Sequence, residues 1–124
     1  MNVIDSSGWL VILAGSKAGK RLLPLVKNPP ELIVPSVTIY EVFKKVAQER
    51  DEEEALRITG LMSTFEVVDL TRDLAIEAAL VSMEFKIPMA DSIIYATARS
   101  YNATVWTLDA HFKGLPGVEW MEKF

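Results

Sequence analysis

The sequence predicts an α/β fold built on a mostly parallel sheet. Short β-type apolar runs alternate with longer stretches at helical spacing from one end of the chain to the other. No repeat, low-complexity tract or long linker interrupts the pattern, so residues 1–124 are assigned to a single domain. Half of the residues are hydrophobic and 24% are charged. That is enough apolar material to take roughly two-thirds of the unfolded chain's surface out of water without disulfides or a structural metal.

Asn2 to Asp5 reads as a short first strand. A helix follows from about Ser7 to Ala14, then a second, basic helical segment that ends near Pro24 to Pro30. Leu32-Ile33-Val34 is a buried strand closed by Pro35. Ser36 is placed to cap the next helix, in which Ile39, Val42, Phe43, Val46 and Ala47 recur at helical spacing as far as about Glu49. Asp51 with Glu54 three residues on forms a capping-box pattern, and the acidic first turn suits the helix dipole. Phe65 to Val68 is a third strand. Thr71 caps a helix whose Leu74, Ala78, Val81 and Phe85 make one apolar stripe. Pro88 opens a further helix near Met89, with Ala90, Ile94, Ala98 and Tyr101 expected to face inward and Ala96 small enough for close packing. Ala103 to Trp106 is a fourth strand, and Val118 to Trp120, after Gly114-Leu-Pro-Gly117, a short last one at the edge.

The chain has no Cys, which removes disulfide frameworks, thiolate-ligated metals and thiol nucleophiles together. It is compatible with a reducing cytoplasm. Its longest apolar run, Trp9 to Ala14, is far short of the ~20 residues of a membrane span, and no basic residue precedes that run as a signal peptide requires. Thirteen Lys and Arg against 17 Asp and Glu give a net charge of −4, which by itself argues against binding nucleic acid. The net figure hides a gradient: Lys17, Lys20, Arg21 and Lys27 face only Asp5 in the first 29 residues, whereas Glu49 to Glu54 is acidic apart from Arg50.

Four carboxylates stand where a purely structural role is weak. Asp5 and Asp109 each follow a strand, and ligands of parallel sheets bind at the strands' carboxyl ends. Glu41 lies early in the helix after the second strand, on the same side of the sheet. Asp91 falls in the first turn of the helix opened by Pro88, where a helix start alone would also explain it. Four like charges sharing a small site would repel by several kcal/mol at about 4 Å separation, so convergence would call for a cation. Oxygen donors with no Cys and a single His favour Mg²⁺ or Mn²⁺ over zinc. Phosphodiester hydrolysis by a metal-activated water is then the natural chemistry.

Other candidates have plainer readings. Ala14-Gly-Ser-Lys-Ala-Gly-Lys20-Arg21 imitates a phosphate-binding loop, but its glycines are one residue too close and Arg21 replaces the required hydroxyl. It reads as a turn between helices with a basic rim. Lys44 and Lys45, three and four residues past Glu41, are read as paired with it, solvated or touching phosphate. Lys17, Lys20, Arg21, Arg99 and Lys113 are further candidates for phosphate contacts. His111, the only histidine, is read as a loop residue without a metal or catalytic role, and Trp9, Trp106 and Trp120 as core or dimer contacts.

Taken in order, Asp5-Ser6-Ser7, Pro35-Ser-Val-Thr-Ile-Tyr-Glu41, Pro88-Met-Ala-Asp-Ser-Ile-Ile-Tyr-Ala-Thr-Ala98 and Thr107-Leu-Asp109-Ala-His-Phe112 resemble a PIN-domain ribonuclease. The subtype most resembled is the VapC-type toxin of bacterial and archaeal toxin–antitoxin pairs. The resemblance runs from Asn2 to about Trp120 and implies a PIN-like three-layer fold, with a central sheet of about five strands flanked by helices. It further implies that Asp5, Glu41, Asp91 and Asp109 converge on Mg²⁺ or Mn²⁺, with Ser7 and Thr107 supporting them. The implied activity is endonucleolytic cleavage of RNA by a cytoplasmic homodimer, silenced by a small antitoxin protein. Lys17, Lys20, Arg21, Lys44 and Lys45 are the candidate RNA contacts. Many members carry a further acid two residues past the last one, where this chain has His111, which puts a second metal site in doubt. The competing readings are a catalytically silent PIN-like interaction module and a receiver-type domain phosphorylated on Asp5.

Overall fold

The structure, a computed structural model, describes residues 1–122. Its strands are β1 (Asn2–Ile4), β2 (Leu32–Pro35), β3 (Glu66–Val68), β4 (Thr104–Thr107) and β5 (Val118–Trp120). They form one five-stranded sheet in the order β3-β2-β1-β4-β5, and every pairing is parallel. The mostly parallel sheet expected from the alternation is thus wholly parallel among the described residues. Because β1 lies between β2 and β4, the chain winds outward from β1 on one side and later returns to add β4 and β5 on the other. Such a reversal of strand order leaves a crevice at the strands' carboxyl ends.

Six helices cover the sheet: α1 (Ser6–Ala14), α2 (Lys17–Val26), α3 (Ser36–Glu49), α4 (Glu52–Met62), α5 (Arg72–Phe85) and α6 (Met89–Ser100). Successive strand side chains point to opposite faces, and the core divides accordingly. Val3, Ile33 and Val105 meet Ala78, Val81, Ile94, Tyr95 and Ala98 of α5 and α6. Ile4, Leu32 and Val34 meet Trp9, Leu22, Val42, Val46, Ile58 and Met62 of α1 to α4. Two apolar layers around one sheet make this a three-layer α/β fold.

The helix ends follow local chemistry. Asp51 and Thr71 cap α4 and α5 by accepting from the N–H of Glu54 and Leu74, as their spacing predicts. Ser36 does not cap α3: Pro35 holds that position, and the Ser36 hydroxyl accepts from the Leu70 N–H beyond β3 instead. The turn after α1 has Gly15 at φ 67°, and Ser16 caps α2 through the Gly19 N–H. The imitation phosphate loop is therefore the helix–helix turn expected. Gly19 is required by proximity, because a Cβ there would lie 2.1 Å from the Val11 carbonyl oxygen. Pro24 sits inside α2 without ending it, two residues before the helix stops. Tyr101, expected to face inward, lies just past α6 and is 42% exposed. The inward face of α6 ends at Ala98.

Candidate active site

The four acids arrive from four elements. Asp5 follows β1 directly and caps α1, accepting from the Gly8 N–H at 3.0 Å. Asp109 follows β4 and caps the short 3-10 turn Ala110–Phe112, accepting from the His111 N–H at 2.9 Å. Glu41 lies in the second turn of α3, and Asp91 in the first turn of α6.

Asp5 is the most firmly held. It is 2% exposed, its Oδ1 also accepts from Ser7 Oγ at 2.7 Å, and its Oδ2 accepts from Thr107 Oγ1 at 2.7 Å. Thr107 Oγ1 in turn accepts from the Asp109 N–H at 2.9 Å, and Ser7 Oγ accepts from the Leu108 N–H at 3.1 Å. Two hydroxyls thus lock the end of β1 to the end of β4, with both strand-end acids on one side. Ser7 and Thr107, named as accessory residues from the sequence, both donate to Asp5.

The electrostatics report convergence. Burial, then the charge of Asp109, raises Asp5 to about 6 despite three hydrogen bonds that oppose the rise. Burial raises Asp91 to about 6 as well, with Asp109, Glu41 and Asp5 adding to the rise and His111 opposing it. Burial also raises Glu41, helped by Asp109 and opposed by the Ser6 hydroxyl. The dipole at the start of α6 favours an anion at Asp91, yet burial and neighbouring negative charge outweigh it.

Among the described residues, His111 is the basic group that contacts the cluster. His111 Nδ1 lies 2.9 Å from Asp109 Oδ1 and 3.1 Å from Asp91 Oδ2. The sequence reads His111 as a loop residue; the 3-10 turn capped by Asp109 folds it back over two of the acids. Two signals were present in the sequence, its place two residues after Asp109 and its being the only histidine. Lys45 pairs with Glu49 at 2.9 Å rather than with Glu41, and Lys44 lies over the Tyr40 ring. Both lysines nonetheless line a depression of about 180 Å³ that also includes Glu41. Lys17 and Lys20 are exposed on α2, where Arg21 donates to the Glu122 carbonyl. Arg99 and Lys113 lie over the rings of Tyr95 and Trp120. Trp9 is core, as expected, while Trp106 Nε1 donates to Asn2 Oδ1.

The donor set fits a divalent cation. Ligand atoms of Asp91, Asp109 and His111 lie within 4.8 Å of one another. Glu41 Oε1 is buried with no hydrogen-bond partner among the described residues, and a buried carboxylate oxygen left unsatisfied is costly unless a cation or water meets it.

The PIN domain family model matches residues 3–118, and the chain belongs to that family. Among solved structures, the chain is similar to a toxin–antitoxin complex from Klebsiella pneumoniae, at 25% identity and a TM-score of 0.83 over 98% of this chain and 99% of that one. It also resembles VapC20 of Mycobacterium tuberculosis, described as a sarcin–ricin-loop-cleaving toxin, at 21% identity and a TM-score of 0.77 over 96% and 98% of the two chains. A DNA-bound VapBC complex from Salmonella typhimurium matches at 20% identity and a TM-score of 0.75 over the whole of both chains. No curated protein sequence matches closely enough to count as a relative.

Proposed function

We propose that this protein is a Mg²⁺- or Mn²⁺-dependent endoribonuclease and the toxin of a toxin–antitoxin pair. One observation carries the reading. Asp5, Glu41, Asp91 and Asp109 are spread over most of the chain, yet three of them are raised by burial and by the charge of the others, which supports a shared acidic site at the strands' carboxyl ends. A fold does not need such a cluster, and its charge suits a cation and an approaching phosphate. Similarity to a toxin–antitoxin complex supports the pairing with a small antitoxin.

A bound divalent ion supplies polarisation of a phosphoryl oxygen and a water ionised near neutral pH. The chain supplies the rest. Asp5, Asp91, Asp109 and Glu41 would hold the ion, and Ser7 and Thr107 fix the two Asp5 oxygens. Glu41, whose Oε1 is unsatisfied, orients the attacking water and takes its proton. Lys44 and Lys45, beside Glu41, and Lys17, Lys20 and Arg21 contact RNA phosphate. Exposed Tyr40 on α3 and Ile76, Leu80 and Met83 on α5 leave apolar surface for a second copy and for the antitoxin. Among the described residues no helix is long and apolar enough to cross a membrane, and action in the cytoplasm belongs to the same reading.

The test is cleavage of a labelled structured RNA with Mn²⁺ or Mg²⁺ present. The wild type should cut, whereas Asp91→Asn, Glu41→Gln or excess EDTA should reduce the rate by roughly a hundredfold or more. Undiminished cleavage by Asp91→Asn in EDTA would sink the reading.

A further inference from the structure

The acids account for the oxygen donors of the site, but the group nearest to two of them is a nitrogen. We propose that His111 Nδ1 is itself a ligand of the divalent ion and tilts the site towards Mn²⁺ over Mg²⁺. This rests on the metal-dependent reading above and assigns a residue and an ion preference within it.

The spacing suits direct ligation. An octahedral ion with bonds of about 2.1 Å holds neighbouring donor atoms about 3.0 Å apart, and Nδ1 stands 2.9 Å and 3.1 Å from Asp109 Oδ1 and Asp91 Oδ2. The ring is also positioned by the fold. Its residue sits inside the 3-10 turn Ala110–Phe112, its own N–H is bound by Asp109, and the next residue, Phe112, is fully buried. Among the described residues, no Lys forms an ion pair with Asp5, Glu41, Asp91 or Asp109.

Selectivity follows from donor chemistry. Mg²⁺ prefers oxygen and sheds water reluctantly, whereas imidazole nitrogen adds affinity for Mn²⁺ and the later first-row ions. A neutral imidazole in place of a further carboxylate also removes a negative charge, which weakens the attraction on which a hard ion depends most.

Because His111 is the chain's only histidine, any imidazole nitrogen bound to the ion is unambiguous once a purification tag has been removed. Wild type, His111→Ala and His111→Asp would each be titrated calorimetrically with Mn²⁺ and with Mg²⁺, and their Mn²⁺ complexes examined by pulsed EPR. The ring is 57% exposed at its side chain, so neither substitution threatens the fold. Wild-type protein should show ¹⁴N coupling to Mn²⁺ that both variants lose. His111→Ala should weaken Mn²⁺ binding about tenfold or more while changing Mg²⁺ binding by less than about threefold. His111→Asp should bind both ions with the preference moved towards Mg²⁺. Absence of ¹⁴N coupling in the wild type, or equal losses for both ions in His111→Ala, overturns the assignment and leaves the four-acid site standing. Failure of the wild type to bind either ion overturns both.

Discussion

Replacing Asp5 with Asn should make the metal-free protein more stable at alkaline pH although it removes one of the acids of the proposed metal site. The folded carboxyl is raised from 3.8 to about 6, chiefly by burial. The native state therefore holds a proton that the unfolded chain has already released between about pH 4 and 6, and stability falls as pH rises through that window. Above it the full penalty is present, about 3 kcal/mol at 1.36 kcal/mol per pH unit. Asn carries no charge, so it escapes the penalty. It keeps an oxygen for the Gly8 N–H and Ser7 Oγ, but its amide faces Thr107 Oγ1, which must turn and give up its best acceptor, a loss of about 1 kcal/mol. The net expectation at pH 8 in EDTA is a gain of roughly 2 kcal/mol, or about 8 °C in Tm for a chain of this length. At pH 4 the gain should vanish and leave a loss of about 1 kcal/mol. Thermal unfolding of both proteins across that range is the assay. A variant destabilised equally at pH 4 and pH 8 would refute the reasoning.

Thr107→Val removes the hydroxyl that donates to Asp5 and accepts from the Asp109 N–H, and should cost about 2 kcal/mol in urea unfolding. It should also move the Asp5 titration upward, because that hydrogen bond is among those lowering it; an unchanged pH profile of stability would count against this account. Gly19→Ala should cost about 2 kcal/mol or more, since its Cβ would meet the Val11 backbone at 2.1 Å. Gly60→Ala, in an open stretch of α4, should instead stabilise by about 0.5–1 kcal/mol. Equal urea midpoints for these two glycine variants would remove the packing argument.

The sheet was legible because each strand is a short apolar run followed by a breaker or cap, and Asp51 and Thr71 marked their helix starts through local spacing alone. What escaped was decided by neighbours distant in sequence. Ser36 has the chemistry of a cap, but Leu70 claims its hydroxyl. Tyr101 keeps the helical period of α6, yet α6 stops at Ser100. At the site, four carboxylates could be picked out as poorly explained by structure, and the family resemblance ordered them. The place of His111 two residues after Asp109 was visible, but not that the turn after β4 would fold it back towards Asp91, a contact between residues twenty positions apart. The lysine pairings were equally hidden, since Lys45 had Glu41 and Glu49 within reach on one helix and takes Glu49.

The hydroxyl latch between the ends of β1 and β4 also bears on when the candidate site can form during synthesis. Asp5 is made before the partners that hold it, since Thr107 and the backbone beyond emerge about a hundred residues later. A chain still on the ribosome, or one cut short before β4, has its first acid without its last and no strand beside β1 on that side. The candidate site is therefore assembled only once β4 has been made and docks beside β1, and a copy without β4 lacks the hydroxyl that holds Asp5.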